Sequence, residues 1–331
     1  TRYKRMDGYK TLWQPGLDHA GIATQNVVEK QLLAQGIKKE EIGREEFLKH
    51  VWHWKEQSGG QIVKQMKRLG VTPAWSRQRF TMDEGLKNAV RKAFVSLYDA
   101  GLIVRGNYMV NWCTHDGALS DVEVEHKENK GKLYHLRYYF ADAQDKFIVV
   151  ATTRPETYFG DTAVMVNPAD ERYKNLIGKK VVLPLIGREI EIIADEYVDM
   201  SFGTGAVKVT PAHDTNDYEV GKRHELEFIT VFDEKGILNE QCGKFKGLER
   251  LAARDQIVAE LEKLGFIEKI EDYENQVGYC YRCKNVVEPY ISQQWFVRAD
   301  IAKEAISKVN SGEAEFSRST GSIASTPGCA S

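Results

Sequence analysis

The stretch that most constrains this chain runs from Phe202 to Asp217 and reads Phe-Gly-Thr-Gly-Ala-Val-Lys-Val-Thr-Pro-Ala-His-Asp-Thr-Asn-Asp. Gly203 and Gly205 let the backbone approach a ligand closely. Ala206 to Thr210 alternates as a short strand, which places Lys208 and Thr210 on one face. Pro211 then turns the chain. Asp214 and Asp217 follow at a spacing that sets both carboxylates on the same side of a helix's first turn. One cation, one hydroxyl and two carboxylates therefore converge on a loop between strand and helix. Such a group suits a small substrate that carries an ammonium and a polar side chain. Lys208, Thr210, Asp214 and Asp217 are accordingly the candidate catalytic residues.

A second stretch partners the first. Lys146 to Ala151 has the pattern of a buried strand. It runs into Thr152-Thr153-Arg154-Pro155-Glu156-Thr157, where Pro155 ends regular pairing. The hydroxyls of Thr152, Thr153 and Thr157, with Arg154, can cradle the ribose or phosphate of a nucleotide. Taken alone, a threonine-rich strand end is more often a solvated turn.

The 331 residues suffice for two or three domains. A formal net charge of −2 and an apolar fraction of 42% describe a soluble globular chain. No apolar run of about 18 residues predicts a membrane span, and no secretory signal is present. Near-neutral charge leaves RNA binding open, because basic charge can be confined to patches. The chain starts at Thr1 in mid-pattern, and the small-residue segment 316–331 reads as a linker, tag or scar. The sequence is expected to be an internal piece of a longer protein.

Along the chain, residues 44–69 form an amphipathic helical pattern that Gly59-Gly60 can kink or split. Thr81-Met82-Asp83-Glu84 has the form of a capping box, followed by a helix with Leu86, Val90, Phe94 and Leu97 on one face. From Leu133 the pattern shifts to short strands: 133–139, 147–151, 162–166, 181–185, 189–194 and 206–210. Helices are expected near 218–224 and over 248–264. That mix predicts a compact, largely antiparallel, barrel-like domain with flanking helices.

The pair "ATTRPET…GDTAVMVNPADERY" and "FGTGAVKVTPAHDTND" resembles the editing domain inserted in class I aminoacyl-tRNA synthetases of the valyl, isoleucyl and leucyl group. With "WQPGLDHAGIATQNVVEKQL", "RFTMDEGLKNAV" and "EPYISQQWFV", the likeness covers roughly residues 1 to 310 and lies nearest the valyl branch, the isoleucyl branch being the alternative. The resemblance implies an α/β fold: part of a Rossmann-like catalytic domain and its connecting ribbon over 1–131, an inserted β-barrel-like editing domain over 132–279, and a return ribbon over 280–315. It implies tRNA(Val), valine and ATP as partners and cofactor of the intact enzyme, a cytoplasmic monomer, and hydrolysis of mischarged Thr-tRNA(Val) in the editing pocket. The His-x-Gly-His and Lys-Met-Ser-Lys-Ser types of ATP signature are missing from these residues, so amino-acid activation by this chain alone is not expected.

The resemblance also distributes roles. Thr152, Thr153, Arg154 and Thr157 would hold the terminal adenosine of tRNA. Of Asp214 and Asp217, one would pair the α-ammonium and the other accept from the threonine hydroxyl, Asp217 being favoured for the ammonium. No Ser-His-Asp triad is evident, so catalysis would rest on positioning and on substrate hydroxyls. His213 is either a general base or a structural histidine. Asp18 would hold the α-ammonium of valine in the synthetic site, the other reading being a helix cap, and Trp295 would wall the valine side-chain pocket. Finally, Cys280-Tyr281-Arg282-Cys283 with Cys113 and His115 offers a Cys₃His zinc site clamping the insertion's entry and exit. Isoleucyl-type relatives have a second upstream cysteine where this chain has Asp116. The alternative is a set of reduced thiols; a third class of reading is a non-catalytic RNA-binding module built on that knuckle.

Overall fold

The computed structural model describes residues 1–201 and 203–314; Phe202, Cys329 and the 316–331 tail lie outside the described residues. The described residues divide into two compact units, 1–106 with 295–314, and 107–294.

The first unit is mostly helical: α1 (Gly21–Leu33), α2 (Lys39–Ser58), α3 (Gln61–Arg68) and α4 (Glu84–Asp99). Gly59-Gly60 splits the long amphipathic run into α2 and α3, as its pattern allows. Gly43, at a φ of +75°, breaks α2 near its start. The capping-box reading needs correction. Asp83 is the N-cap, its Oδ1 accepting from the Leu86 amide at 2.9 Å, while the Thr81 hydroxyl accepts from the His19 amide. Val28, Leu32 and Phe47 form the small core of this unit, with Trp54 packed against it. No residue of α4 is buried, and Val90 is 66% exposed.

The second unit carries the sheet. β1 (Ile103–Cys113) enters from the first unit and turns into β2 (Gly117–Leu119); β10 (Val287–Val297) lies on the other side of β1. The main sheet comprises β3 (Val124–Phe140), β4 (Ala143–Thr152), β5 (Ala163–Val166), β6 (Lys180–Val182), β7 (Glu189–Ala194), β8 (Ala206–Val209) and β9 (Ile267–Cys280). Its order is β8-β5-β7-β6-β3-β9, with β4 also on β3, and among the described residues only the β5–β7 pair of this sheet is parallel. The sheet curls until its ends meet: the Thr204 hydroxyl, just before β8, donates to the Val149 carbonyl of β4 at 2.9 Å. This is the predicted barrel-like, largely antiparallel domain.

Helices α5 (Thr215–Arg223) and α6 (Arg250–Lys263) flank the sheet. Ile257 and Leu261 of α6 join Leu136, Tyr138, Tyr158, Phe159, Ile192 and Phe232 in the main core. A second cluster of Ala163, Met165, Val198 and Val209 receives Val220 of α5. Burial of the apolar face of α5 thus seats its N-terminus against the end of β8, where the polar residues gather. The β3–β9 ribbon is far longer than its apolar part, running from Ile267 opposite Leu136 to Cys280 opposite Val124.

Candidate active site in the curled sheet

Lys208 lies on β8 and Thr210 follows it directly, while Asp214 caps α5 by accepting from the Asn216 and Asp217 amides at 2.9 and 3.1 Å. That cap orders the first turn, and the turn carries Asp217 back toward the strand. Its Oδ2 accepts from the Thr210 amide at 2.8 Å and stands 3.5 Å from Lys208 Nζ. All four candidate catalytic residues are therefore brought together.

Sequence reasoning missed a fifth member. Asp161, between the buried 3₁₀ turn Pro155–Gly160 and β5, has no exposed surface. It accepts from the Thr210 hydroxyl at 2.5 Å and from the Tyr138 hydroxyl at 2.7 Å, with Lys208 Nζ at 3.9 Å. Gly160 makes this approach possible, since a Cβ there would stand 2.7 Å from the Ile229 carbonyl oxygen. The available signal was the acid embedded in the apolar run Tyr-Phe-Gly-Asp-Thr-Ala-Val-Met-Val.

The electrostatics follow from burial. Desolvation pushes Asp161 up to about 6 against the pull of Lys208 and of its hydroxyl donors. Asp217 is also raised, by burial first and by Asp214 next, with Lys208 opposing. For Lys208, burial pulls the ammonium down, but Asp161, Asp217 and Asp214 outweigh it and hold it above its usual range. Three carboxylates thus surround one lysine. Asp217 Oδ1 and Asp214 Oδ2 have no protein partner among the described residues.

These groups border a cavity of about 780 Å³. Thr152, Thr153, Arg154 and Thr157 line it too, as do Lys208, Asp214 and Asp217; Thr210, wholly buried, stands behind the wall. The Thr152 hydroxyl accepts from the Arg154 amide, and the Thr157 hydroxyl donates to the Arg154 carbonyl, so both hold the strand-end turn. Arg154 donates to the His213 carbonyl at 2.8 Å and to Glu288, which also accepts from Arg250 at 2.8 Å. Its guanidinium is therefore built into a buried ion network as well as the wall. Thr153 and Arg154 also border a second cavity of about 600 Å³.

His213 is structural. It is buried, its Nε2 accepts from the Val231 amide at 2.9 Å, and its ring lies 4.4 Å from that of Phe232. Burial holds its pKa well below the ordinary value, with Arg154 and Lys208 adding to the effect. A lone pair already occupied by a backbone N–H is not available to take a proton from water.

In the first unit, Asp18 borders a separate cavity of about 490 Å³. Its Oδ1 accepts from the Ala20 amide at 3.1 Å, a local turn contact that does not cap α1. Trp295 is not a wall of that cavity: its ring packs edge-on against Phe94 at 5.3 Å and Tyr98 at 6.1 Å. The structure does not bring these two together.

The knuckle assembles with one change of member. Cys113, Asp116, Cys280 and Cys283 present ligand atoms all within 4.8 Å of one another. Cys113 Sγ lies 3.3 Å from Cys283 Sγ, and Cys280 Sγ lies 3.1 Å from Asp116 Oδ2. His115 falls outside this group, turned so that its Nδ1 meets the other oxygen of Asp116 at 3.1 Å. The adjacent acid faces inward where the sequence reading has the histidine. Three thiols and a carboxylate at these separations fit a tetrahedral zinc ion.

Comparison with known proteins gives the family. The profile of class I tRNA synthetases (I, L, M and V) matches residues 1–324. The chain belongs to the class I tRNA synthetases. It is 74% identical over 316 residues to the valine–tRNA ligases of Campylobacter jejuni (strain RM1221) and Wolinella succinogenes, covering 96% of this chain but 36% and 35% of those proteins. The valine–tRNA ligase of Syntrophotalea carbinolica is 58% identical over 314 residues. The chain spans about a third of the length of the curated relatives it matches. Among the described residues, no helix is long and apolar enough to cross a membrane.

Proposed function

We propose that this chain is part of a valine–tRNA ligase, an enzyme joining valine to tRNA(Val) at the expense of ATP, and that its own share is the hydrolysis of mischarged Thr-tRNA(Val). The observation that carries this reading is the cavity bordered by Lys208, Asp214 and Asp217, two acids that each keep one carboxylate oxygen without a protein partner among the described residues. The α-ammonium of an aminoacyl ester pairs with Asp217, and Asp214 accepts from the threonine hydroxyl. Valine, nearly isosteric, leaves that acceptor unpaired. A second, polar pocket is needed because an apolar one rejects an added hydroxyl only by about 100-fold, the limit established on valyl-type synthetases themselves.

The threonine-rich turn at 152–157 supports a site for the terminal adenosine, with Thr153 as the contacting hydroxyl and Arg154 as the wall. Water adds to the ester carbonyl, whose developing charge meets the Lys208 ammonium, and the bond to the ribose oxygen then breaks, that oxygen taking up the proton the water gives up as free threonine leaves. Cys113, Asp116, Cys280 and Cys283 would hold a structural zinc ion outside this chemistry.

The test is deacylation of Thr-tRNA(Val) beside Val-tRNA(Val) by this chain and by its Asp217→Ala variant. Selective hydrolysis of the threonyl ester, reduced at least a hundredfold in the variant (roughly the loss that follows from removing one oriented charge), is the expected result. Equal hydrolysis of both esters refutes the threonine-selective pocket, and full activity in the variant removes Asp217 from its role.

A further inference from the structure

The floor beneath the cavity contains a chain of hydrogen bonds whose directions are fixed by chemistry. A lysine ammonium has donors only, and an ionised carboxylate accepts only. Thr210 Oγ1 accepts from Lys208 and lies 2.5 Å from Asp161 Oδ1, so its single proton must point to Asp161. The other Asp161 oxygen is held by the Tyr138 hydroxyl at 2.7 Å. Lys208 gives a second hydrogen bond to Asp217 Oδ2 at 3.5 Å, and Asp161 Oδ1 stands beyond hydrogen-bond reach at 3.9 Å, so one N–H of the ammonium has no hydrogen-bond acceptor among the described residues.

We propose that Asp161 is a positioning residue: by fixing the Thr210 hydroxyl it holds the Lys208 ammonium on the cavity floor, with one N–H free for an oxygen of the aminoacyl ester. The proposal deepens the editing reading and rests on it for the identity of the ester. Asp161 touches no ligand, since it has no exposed surface and does not border the cavity.

Burial of an acid at this point is costly unless every lone pair is used. Here the Tyr138 hydroxyl of β3 and the Thr210 hydroxyl at the end of β8 each donate to one of its oxygens, and the Lys208 ammonium of β8 supplies opposite charge at 3.9 Å. The charged and titratable groups facing Asp161 are Lys208 on β8, Asp217 on α5, Tyr138 on β3, Tyr158 in the 3₁₀ turn, and Arg188, whose guanidinium donates to the Asp161 carbonyl at 3.1 Å. A proton on Asp161 Oδ1 would turn that oxygen into a donor and reverse the Thr210 hydroxyl, whereas one on Oδ2 would reverse the Tyr138 hydroxyl instead. A neutral side chain at 161 also leaves the buried ammonium with one negative neighbour fewer, so Lys208 should lose its proton more readily.

Asp161→Asn, Thr210→Val, Thr210→Ser and the double variant Asp161→Asn/Thr210→Val separate this role from simple packing, each being checked for folding by circular dichroism. Two readouts are needed. The first is kcat/KM for Thr-tRNA(Val) hydrolysis. The second is the titration midpoint of the Lys208 ammonium, followed by NMR of isotope-labelled lysine without any ligand. Expected are a loss of roughly a hundredfold for Asp161→Asn and for Thr210→Val, the scale of a misplaced catalytic group. The double variant should be no worse than either single one, Thr210→Ser should recover most of the loss, and the Lys208 midpoint should fall in Asp161→Asn. An unchanged Lys208 midpoint in Asp161→Asn, or losses that multiply in the double variant, would overturn the proposal. If the parent chain hydrolyses no threonyl ester, the editing reading falls, while the Lys208 titration still decides the positioning role.

Discussion

Asp161 and His213 are both buried and bend the pH dependence of stability in opposite senses. A carboxyl raised to about 6 keeps its proton in the folded state at pH values where the unfolded chain has lost it. Its contribution is therefore complete below the unfolded carboxylate value and is lost as pH rises through about 6. His213, held well below its ordinary value, resists protonation that the unfolded chain accepts. Its contribution is present above the unfolded imidazole value and is lost as pH falls. Asp161→Asn removes the first effect and leaves the second. In urea denaturation at acid and neutral pH, the variant should lose more stability relative to the parent at pH 4.5 than at pH 7. A gap that is constant, or that widens at neutral pH, would mean Asp161 is not raised in the folded state.

At the scale of elements, what the sequence revealed and what it hid have physical reasons. Strand β7 and helix α6 were legible because one face of each is buried and the apolar spacing shows it, as with Ile190 and Ile192 of β7, and β5 because it is an apolar run buried on both faces. The outer halves of β3 and β9 were not. Glu-His-Lys-Glu-Asn-Lys-Gly-Lys and Lys-Ile-Glu-Asp-Tyr-Glu-Asn-Gln pair as a ribbon in which no side chain is fully buried, so no apolar alternation marks them. In the site, residues adjacent in sequence such as Lys208 and Thr210, or Asp214 and Asp217, could be grouped by spacing. Asp161 could not, because it is the antiparallel pairing of β5 with β8, with Ala163 opposite Val209, that brings it to Thr210. Similarly, spacing found three of the four knuckle donors but could not say which of His115 and Asp116 turns inward. That knuckle ties the β1–β2 turn to the end of β9, closing the open ribbon. Protein prepared without chelators should carry about one zinc per chain, and stripping it should lower the melting temperature, with Asp116→Ala reducing metal retention and His115→Ala not. A chain free of metal that melts identically with and without chelator would leave four ordinary buried side chains.

For the whole molecule, the two units differ sharply in how much they bury. The unit spanning residues 107–294 owns the main apolar cluster of Leu136, Tyr138, Phe159, Phe232 and Ile257, and every residue of the candidate editing site lies inside it. The other unit rests on Val28, Leu32 and Phe47, and its α4 presents Val90, Phe94, Val95 and Tyr98 to solvent. Local stability follows buried apolar contact, so opening free energies should separate along the same line. Native-state hydrogen exchange is the direct measurement. Amides of β3, β4 and β7 should be protected to the level of global unfolding, whereas those of α3 and α4 should exchange by local opening at much lower free energy. The same split predicts two transitions in denaturant, the first leaving the cavity of the curled sheet intact. The β1 and β10 segments, which cross between the units, are where the protection should change. Uniform protection across both units, with one cooperative transition, would mean that the small helical core has support that its burial does not account for.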